Sequence, residues 1–142
     1  MLTIILPVRN EANIINDVFE YFNINLKAID YEVLVINDFS EDDTLEKTKD
    51  LVSRYKNFKL LNNLKKGLGG AINLGIKKAS GEFVTIMMAD QSDDINDLIK
   101  YHNIMIEDNY DAVLGSRFLP ESKVTGYPLL TFLKQYAKVF FK

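Results

Sequence analysis

The chain has 142 residues, 47% of them hydrophobic and 26% charged, which suits one soluble domain long enough to bury a core. Its net charge of −3 argues against a dedicated nucleic-acid binder, which carries a basic excess. With no cysteine and one histidine, disulfides, thiolate nucleophiles and thiolate or multi-histidine metal sites are excluded.

The elements alternate along the chain. "LTIIL" (2–6) predicts a first strand, and "ANIINDVFEYFNINL" then spaces Ile14, Ile15, Val18, Phe19 and Phe22 as one face of a helix. "YEVLVI" (31–36) predicts the second strand, followed by a helix in "DTLEKTKDLVSRY" carrying Leu45, Leu51, Val52 and Tyr55. "FKLL" (58–61) is the third strand, and "GGAINLGIKKAS" a helix that stops at two lysines and Gly81. "EFVTIMM" (82–88) and "DAVLG" (111–115) predict the fourth and fifth strands, flanking a helix in "INDLIKYHNIMIED". These strands are short and apolar on both faces, as buried parallel strands are. The expected fold is therefore α/β, a mostly parallel Rossmann-like sheet with right-handed crossovers and helices on both faces.

The N-terminus enters a strand at once, without a secretory leader, and no apolar run approaches the ~18 residues of a membrane span. The expected location is the cytoplasm. Charge is uneven, with all 20 acidic residues but only 14 basic ones before Gly126. The remainder carries only Lys134, Lys138 and Lys142, four residues apart along a helix that is otherwise mostly apolar. Such a helix either packs on the domain or lies on an anionic membrane surface. The chain thus divides into a domain at 1–126 and an amphipathic C-terminal helix at 127–142.

In open parallel sheets ligands bind beyond the C-terminal strand ends, so the loops there carry the chemistry. Two motifs in them are decoys. "KKGLGGAINLG" fails both glycine-rich phosphate fingerprints and follows the third strand instead of the first. A calcium loop starting at Asp90 would need glycine at Ile95 and a carboxylate at Tyr101. His102 has apolar neighbours in a helix, which predicts a packing role.

What remains is a polar set. Asn10 and Glu11 sit where they can cap a helix or face a ligand, and Asp42, Asp43 and Thr44 read as helix-start residues. Asp38, at the end of the second strand, can accept hydrogen bonds from a ribose or a base N–H. Asp90, Ser92, Asp93 and Asp94 fall within five residues, and helix capping explains Asp90 least well because it lies nearest the strand end. Arg117 brings a guanidinium suited to phosphate. A carboxylate for a cation, an arginine for phosphate and an aspartate for base or ribose together point to a nucleotide-diphosphate ligand.

The order P-x-x-N-E, [IV]-x-D-x-S, K-G-L-G-G-A, M-x-A-D-x-S and G-S-R-[FY], spanning roughly 2 to 120, resembles glycosyltransferase family 2. Its branch of dolichyl- or polyprenyl-phosphate sugar synthases looks most similar. The resemblance implies a GT-A fold and inverting transfer of a sugar from a UDP- or GDP-sugar, with Mg2+ or Mn2+, to an acceptor such as a polyprenyl phosphate. It implies that Pro7, Arg9, Glu11, Ile36 and Asp38 line the nucleotide pocket, joined by Gly69 and Ser92. It implies that Asp90 holds the metal and that Arg117 engages the phosphates, both as catalytic residues. It also implies attachment at the cytoplasmic membrane face and a C-terminus that is truncated within the helix at 127–142.

Three positions depart from the family pattern. Arg9 stands where tyrosine is frequent, Asn37 replaces the first aspartate of the second loop, and Met88 replaces the first aspartate of the metal motif. A thioether is no ligand for a hard cation. The resulting alternatives are a glycosyltransferase with a modified donor site, a nucleotide-sugar-binding module without turnover, and a relative in fold alone.

Overall fold

The computed structural model describes residues Met1–Gly115. Along them run β1 (Leu2–Val8), α1 (Ile15–Asn25), β2 (Tyr31–Asn37), α2 (Thr44–Arg54), β3 (Phe58–Asn62), α3 (Leu68–Lys78), β4 (Phe83–Ile86) and α4 (Ile95–Glu107). All neighbouring strands are parallel, in the order β3-β2-β1-β4.

Every residue of β1 and β2 is buried, because helices cover both faces of the central strands. The two-residue period of the strands divides their side chains. Leu2, Ile4, Leu6 and Val8, with Val33 and Val35, join Ile15, Val18, Phe19 and Phe22 of α1, Leu51 of α2, and Ile95 and Leu98 of α4. Ile5, Leu34 and Ile36 face the other way, against Ala71 and Leu74 of α3. On that second face Gly75 lets α3 approach closely, since a Cβ there would stand 2.5 Å from Ile5 Cγ2.

The elements fall within a few residues of the predicted ones, with two differences. β4 ends at Ile86 instead of running to residue 88, because the Met87 N–H makes the last bond to β1, to the Ile5 carbonyl, before the chain turns away. Asp111–Gly115, expected as a fifth strand, pairs with none of the four. A strand holds only when its backbone is paired and its apolar side chains are covered, and Leu114 is 91% exposed. The chain divides into compact units after Tyr110, so the sheet and its four helices all lie in the first.

Sheet order decides where a ligand fits. From β1 the chain moves outward through β2 to β3, then returns by α3 to place β4 on the opposite side of β1. The direction reverses between β1 and β4, and a crevice opens at such a switch point. Pro7 widens it. The carbonyl of Val8 accepts from Asp38 on the β2 side, and that of Ile5 accepts from Met87 on the β4 side. By the alternation of a parallel strand, the nitrogen of Pro7 faces β4 and has no hydrogen to donate there.

The opposite, N-terminal end of the sheet is closed. The buried Glu32 carboxylate accepts from Thr3 Oγ1 (2.8 Å), Ser80 N (2.8 Å), Ser80 Oγ (2.6 Å) and Lys59 Nζ (2.7 Å), tying three strands to the α3–β4 loop. Burial alone would raise its pKa, but the donors, led by Lys59, lower it from 4.5 to about 2. On α4, His102 packs edge-on against Phe83 with ring centroids 5.7 Å apart. Its Nδ1 is buried without a partner among the described residues, and burial holds its pKa below 6.5.

Candidate functional site

The loops after β1 and β2 are laced together by side chains. Asn10 Oδ1 accepts from Glu41 N at 2.8 Å, and the Asn10 N–H donates to Ser40 Oγ at 3.2 Å. Glu11 N donates to Thr44 Oγ1 (2.7 Å), Ala12 N to Asp42 Oδ2 (3.2 Å), and Lys47 Nζ to the Ala12 carbonyl (2.7 Å). Asn10 therefore caps no helix; α1 begins at Ile15, and Ile14 before it supplies no side-chain cap. Asp42 does more than start α2, since it accepts from Thr44 and from Ala12 at once. Those bonds, led by the Thr44 side chain, lower its pKa below 3.8.

The loop after β3 is tied to β2 through Asp38. This buried carboxylate takes the Gly67 N–H on both oxygens (2.9 and 3.0 Å) and Asn63 Nδ2 at 2.7 Å. Asn63 Nδ2 also donates to the Lys65 carbonyl at 2.7 Å. Gly67 turns the chain into α3 at a φ of +110°, a conformation that side chains rarely adopt.

The loop after β4 has committed most of its carboxylates. Burial alternates, with Met87 and Ala89 in the core, Met88 half-buried and Asp90 exposed. Asp93 Oδ2 accepts from Met88 N at 3.0 Å, and Asp94 caps α4 through Asn96 N at 2.8 Å. Asp90 Oδ1 accepts from Ser92 N at 3.0 Å, and the backbone and side chain of Ser92 lower its pKa below 3.8.

The loops of β1 and β4 meet across the switch point. Glu11 is half-buried, and burial, then the charge of Asp90, then that of Asp42, raises its pKa above 4.5. Backbone strain gathers at the same edge. Asn10 (φ 58°), Phe39 (φ 55°) and Gln91 (φ 56°) are left-handed non-glycine residues just after β1, β2 and β4. A fourth, Asn109, merely follows the C-terminus of α4, where that conformation is ordinary.

The family model for Glycosyl transferase family 2 matches residues 3–142. The chain belongs to that family. It is 31% identical over 127 residues to the dolichol-phosphate mannosyltransferase of Pyrococcus furiosus, an alignment covering 89% of this chain and 36% of that protein. The chain thus spans little more than a third of that curated relative. Among solved structures, residues 1–349 of S. aureus TarS superpose with a TM-score of 0.64 at 22% identity, covering 88% of this chain and 40% of that one. The complex of the same TarS fragment with UDP-GlcNAc gives a TM-score of 0.64 at 21% identity, covering 84% and 38% of the two chains. The sheet with helices on both faces is a GT-A fold.

The residues expected of a family 2 donor site are placed differently by the structure. Arg9, Glu11, Asp90 and Ser92 stand on the loops flanking the switch point, with Arg9, Asp90 and Ser92 exposed. Asp38 is brought to the same edge but already braces the β3–α3 loop. Gly69 lies in the first turn of α3, with nothing within 4 Å of where a Cβ would be. Pro7 and Ile36 lie within β1 and β2, both buried, Ile36 against α3 because of its position in the strand period. Arg117 and the helix expected at 127–142 lie outside the described residues.

Sequence reasoning missed Asn63 and Phe39. Asn63 was hidden in an asparagine-rich turn, and only its buried side chain marks it. Phe39 had a signal, a large apolar residue between Asp38 and Ser40, and the structure leaves it 45% exposed.

A divalent cation is the group that the family implies here, and the residues fit it poorly. The described residues gather no cluster of three or more metal-ligating side chains. Of the carboxylates in the β4–α4 loop, Asp93 and Asp94 serve the backbone and Asp90 uses one oxygen on Ser92. Hard cations take several oxygen ligands, and Met88 offers sulfur.

Proposed function

We propose that this chain is the donor-binding and catalytic portion of an inverting glycosyltransferase that moves a sugar from a nucleotide-diphosphate sugar to a polyprenyl or dolichyl phosphate. One observation carries the reading. The switch point between β1 and β4 gathers exposed Arg9, half-buried Glu11 and exposed Asp90, and the charge of Asp90 is felt at Glu11. Charged groups gathered at a strand-order switch point, with carboxylates opposing one another among them, mark a ligand site rather than a structural edge. Support also comes from the mannosyltransferase of P. furiosus, whose name specifies a lipid-phosphate acceptor, and from the UDP-GlcNAc bound to TarS.

In this reading Arg9 and Glu11 flank the nucleotide, with Asp38 holding the neighbouring loop in place. Asp90 has one carboxylate oxygen left to accept a hydroxyl of the donor, and Arg117 engages the diphosphate. The acceptor oxygen forms a bond to the anomeric carbon as the carbon–oxygen bond to the diphosphate breaks, and its electron pair leaves with the nucleotide. A lipid phosphate is already anionic near neutral pH and needs no general base, unlike a hydroxyl acceptor. An acceptor of that kind lies in a membrane, and in this reading the protein works at the cytoplasmic face. No helix among the described residues is long and apolar enough to cross one.

Incubation of the 142-residue chain with radiolabelled UDP- and GDP-sugars and polyprenyl phosphate in vesicles tests the reading. Label is expected in the lipid fraction. Met88 favours a second reading, a module that holds the donor without turnover. Binding with neither transfer nor hydrolysis would establish that instead.

A further inference from the structure

Building on the donor-site reading, we propose that this chain binds its nucleotide without a divalent cation, and that Met88 is the residue responsible. The alternation Met87 in, Met88 out, Ala89 in, Asp90 out sets Met88 and Asp90 on the same side of the chain, away from the core. A pair of carboxylates two residues apart would clamp an ion from that side, but here one of the two positions is a thioether.

The neighbouring carboxylates do not replace it. Asp93 gives one oxygen, Oδ2, to the Met88 N–H at 3.0 Å, a bond that also fixes the backbone presenting Met88, and no third metal-ligating side chain gathers with it among the described residues. Asp94 is bound to Asn96 N and Nδ2 at 2.8 and 3.0 Å as the cap of α4. The remaining oxygen of Asp90 is one hard ligand where a resident cation needs several.

Side chains on the same edge carry the opposite charge. Arg9 is exposed after β1, and Lys65 and Lys66 are exposed after β3. Fixed cations neutralise a diphosphate without a metal, and the guanidinium does so in a bidentate fashion. Asp90 then meets a neutral hydroxyl of the donor instead of a metal ion.

Calorimetric titration of the full chain with UDP and GDP, in manganese chloride and in EDTA, tests this. The wild-type dissociation constants are expected to agree within about twofold between the two conditions, since no protein carboxylate pair holds the ion. Met88→Asp restores that pair and is expected to tighten nucleotide binding about tenfold, in manganese only, as expected for a residue that governs metal affinity. Met88→Leu should behave as wild type, and Met88→Asn supplies an oxygen ligand without charge should Met88→Asp fail to fold. Electron paramagnetic resonance of manganese alone should show free ion with wild type.

Wild-type binding about tenfold tighter in manganese would overturn the proposal, as would stoichiometric capture of manganese alone. So would oxygen-bearing variants that fold but gain no manganese dependence. Absence of nucleotide binding in every condition is a different result, which removes the donor-site reading and this inference with it.

Discussion

The two ends of the sheet treat carboxylates in opposite ways. At the N-terminal end Glu32 is buried, surrounded by donors from β1, β3 and the α3–β4 loop, and its pKa falls to about 2. At the C-terminal end Glu11 is half-buried beside Asp90 and Asp42, and its pKa rises. The same side chain is stabilised as an anion at one end and opposed at the other. The N-terminal end has spent its polar groups on the fold, whereas the C-terminal end keeps exposed charge, strained loops and an open strand junction. Such an edge costs stability and is retained where a ligand completes it.

Substitutions that separate stability from binding test this contrast. Glu32→Ala strands Lys59 and the Ser80 and Thr3 donors, and is expected to cost about 3 kcal/mol in denaturant unfolding with nucleotide affinity unchanged. The contribution of Glu32 has a pH signature of known sign. Its folded pKa lies below its ordinary 4.5, so the unfolded chain binds protons first on acidification. The stabilisation is complete above pH 4.5 and is lost as pH falls towards about 2, a slope that Glu32→Ala should remove from an acid-unfolding profile.

The reverse pattern is expected at the other end. Asp90→Ala and Arg117→Ala should each reduce donor use by about a hundredfold or more. Thermal unfolding of Asp90→Ala should shift by no more than ~0.5 kcal/mol, because its side chain is exposed. Full activity in either variant would remove that residue from the site. Asp38 lies between the two regimes, buried like Glu32 but at the C-terminal edge of the sheet. Asp38→Ala is expected to cost about 2 kcal/mol and to speed amide exchange at Gly67, whose N–H it holds. The smallest effect belongs to Phe39, whose φ of 55° strains a bulky side chain. Phe39→Gly should raise stability by about 1 kcal/mol. Weaker nucleotide binding in the same variant would show that the strain is kept for the ligand.

Much of this was legible in the sequence because it rests on short-range physics. Continuous apolar runs identified β1 and β2 as buried parallel strands, and helical spacing identified Val18, Phe19 and Phe22 as a core face. Strand-end polarity placed Glu11 and Asp90 on loops at the C-terminal edge of the sheet, where the structure also has them. What the sequence concealed is how loops distant in the chain share their polar groups. Nothing local distinguishes Asp38 as a brace for Gly67, or shows Asn10 accepting from Glu41 instead of capping α1. The end of β4 was overdrawn because apolar residues near a strand end read alike from sequence. Met88 leaves the ladder, and Ile36 turns into the core, only by virtue of what β1 and α3 offer them.

Where a nucleotide binds decides whether the C-terminal edge is a donor site. A two-dimensional amide NMR titration of the whole chain with UDP, GDP and their sugars measures that directly. Shifts confined to Arg9–Ala12, Asp38–Phe39 and Met88–Ser92, with Glu32, Ser80 and Gly81 unmoved, are the predicted result. Shifts centred on the Glu32 end of the sheet, or none with any nucleotide in a folded protein, would contradict it.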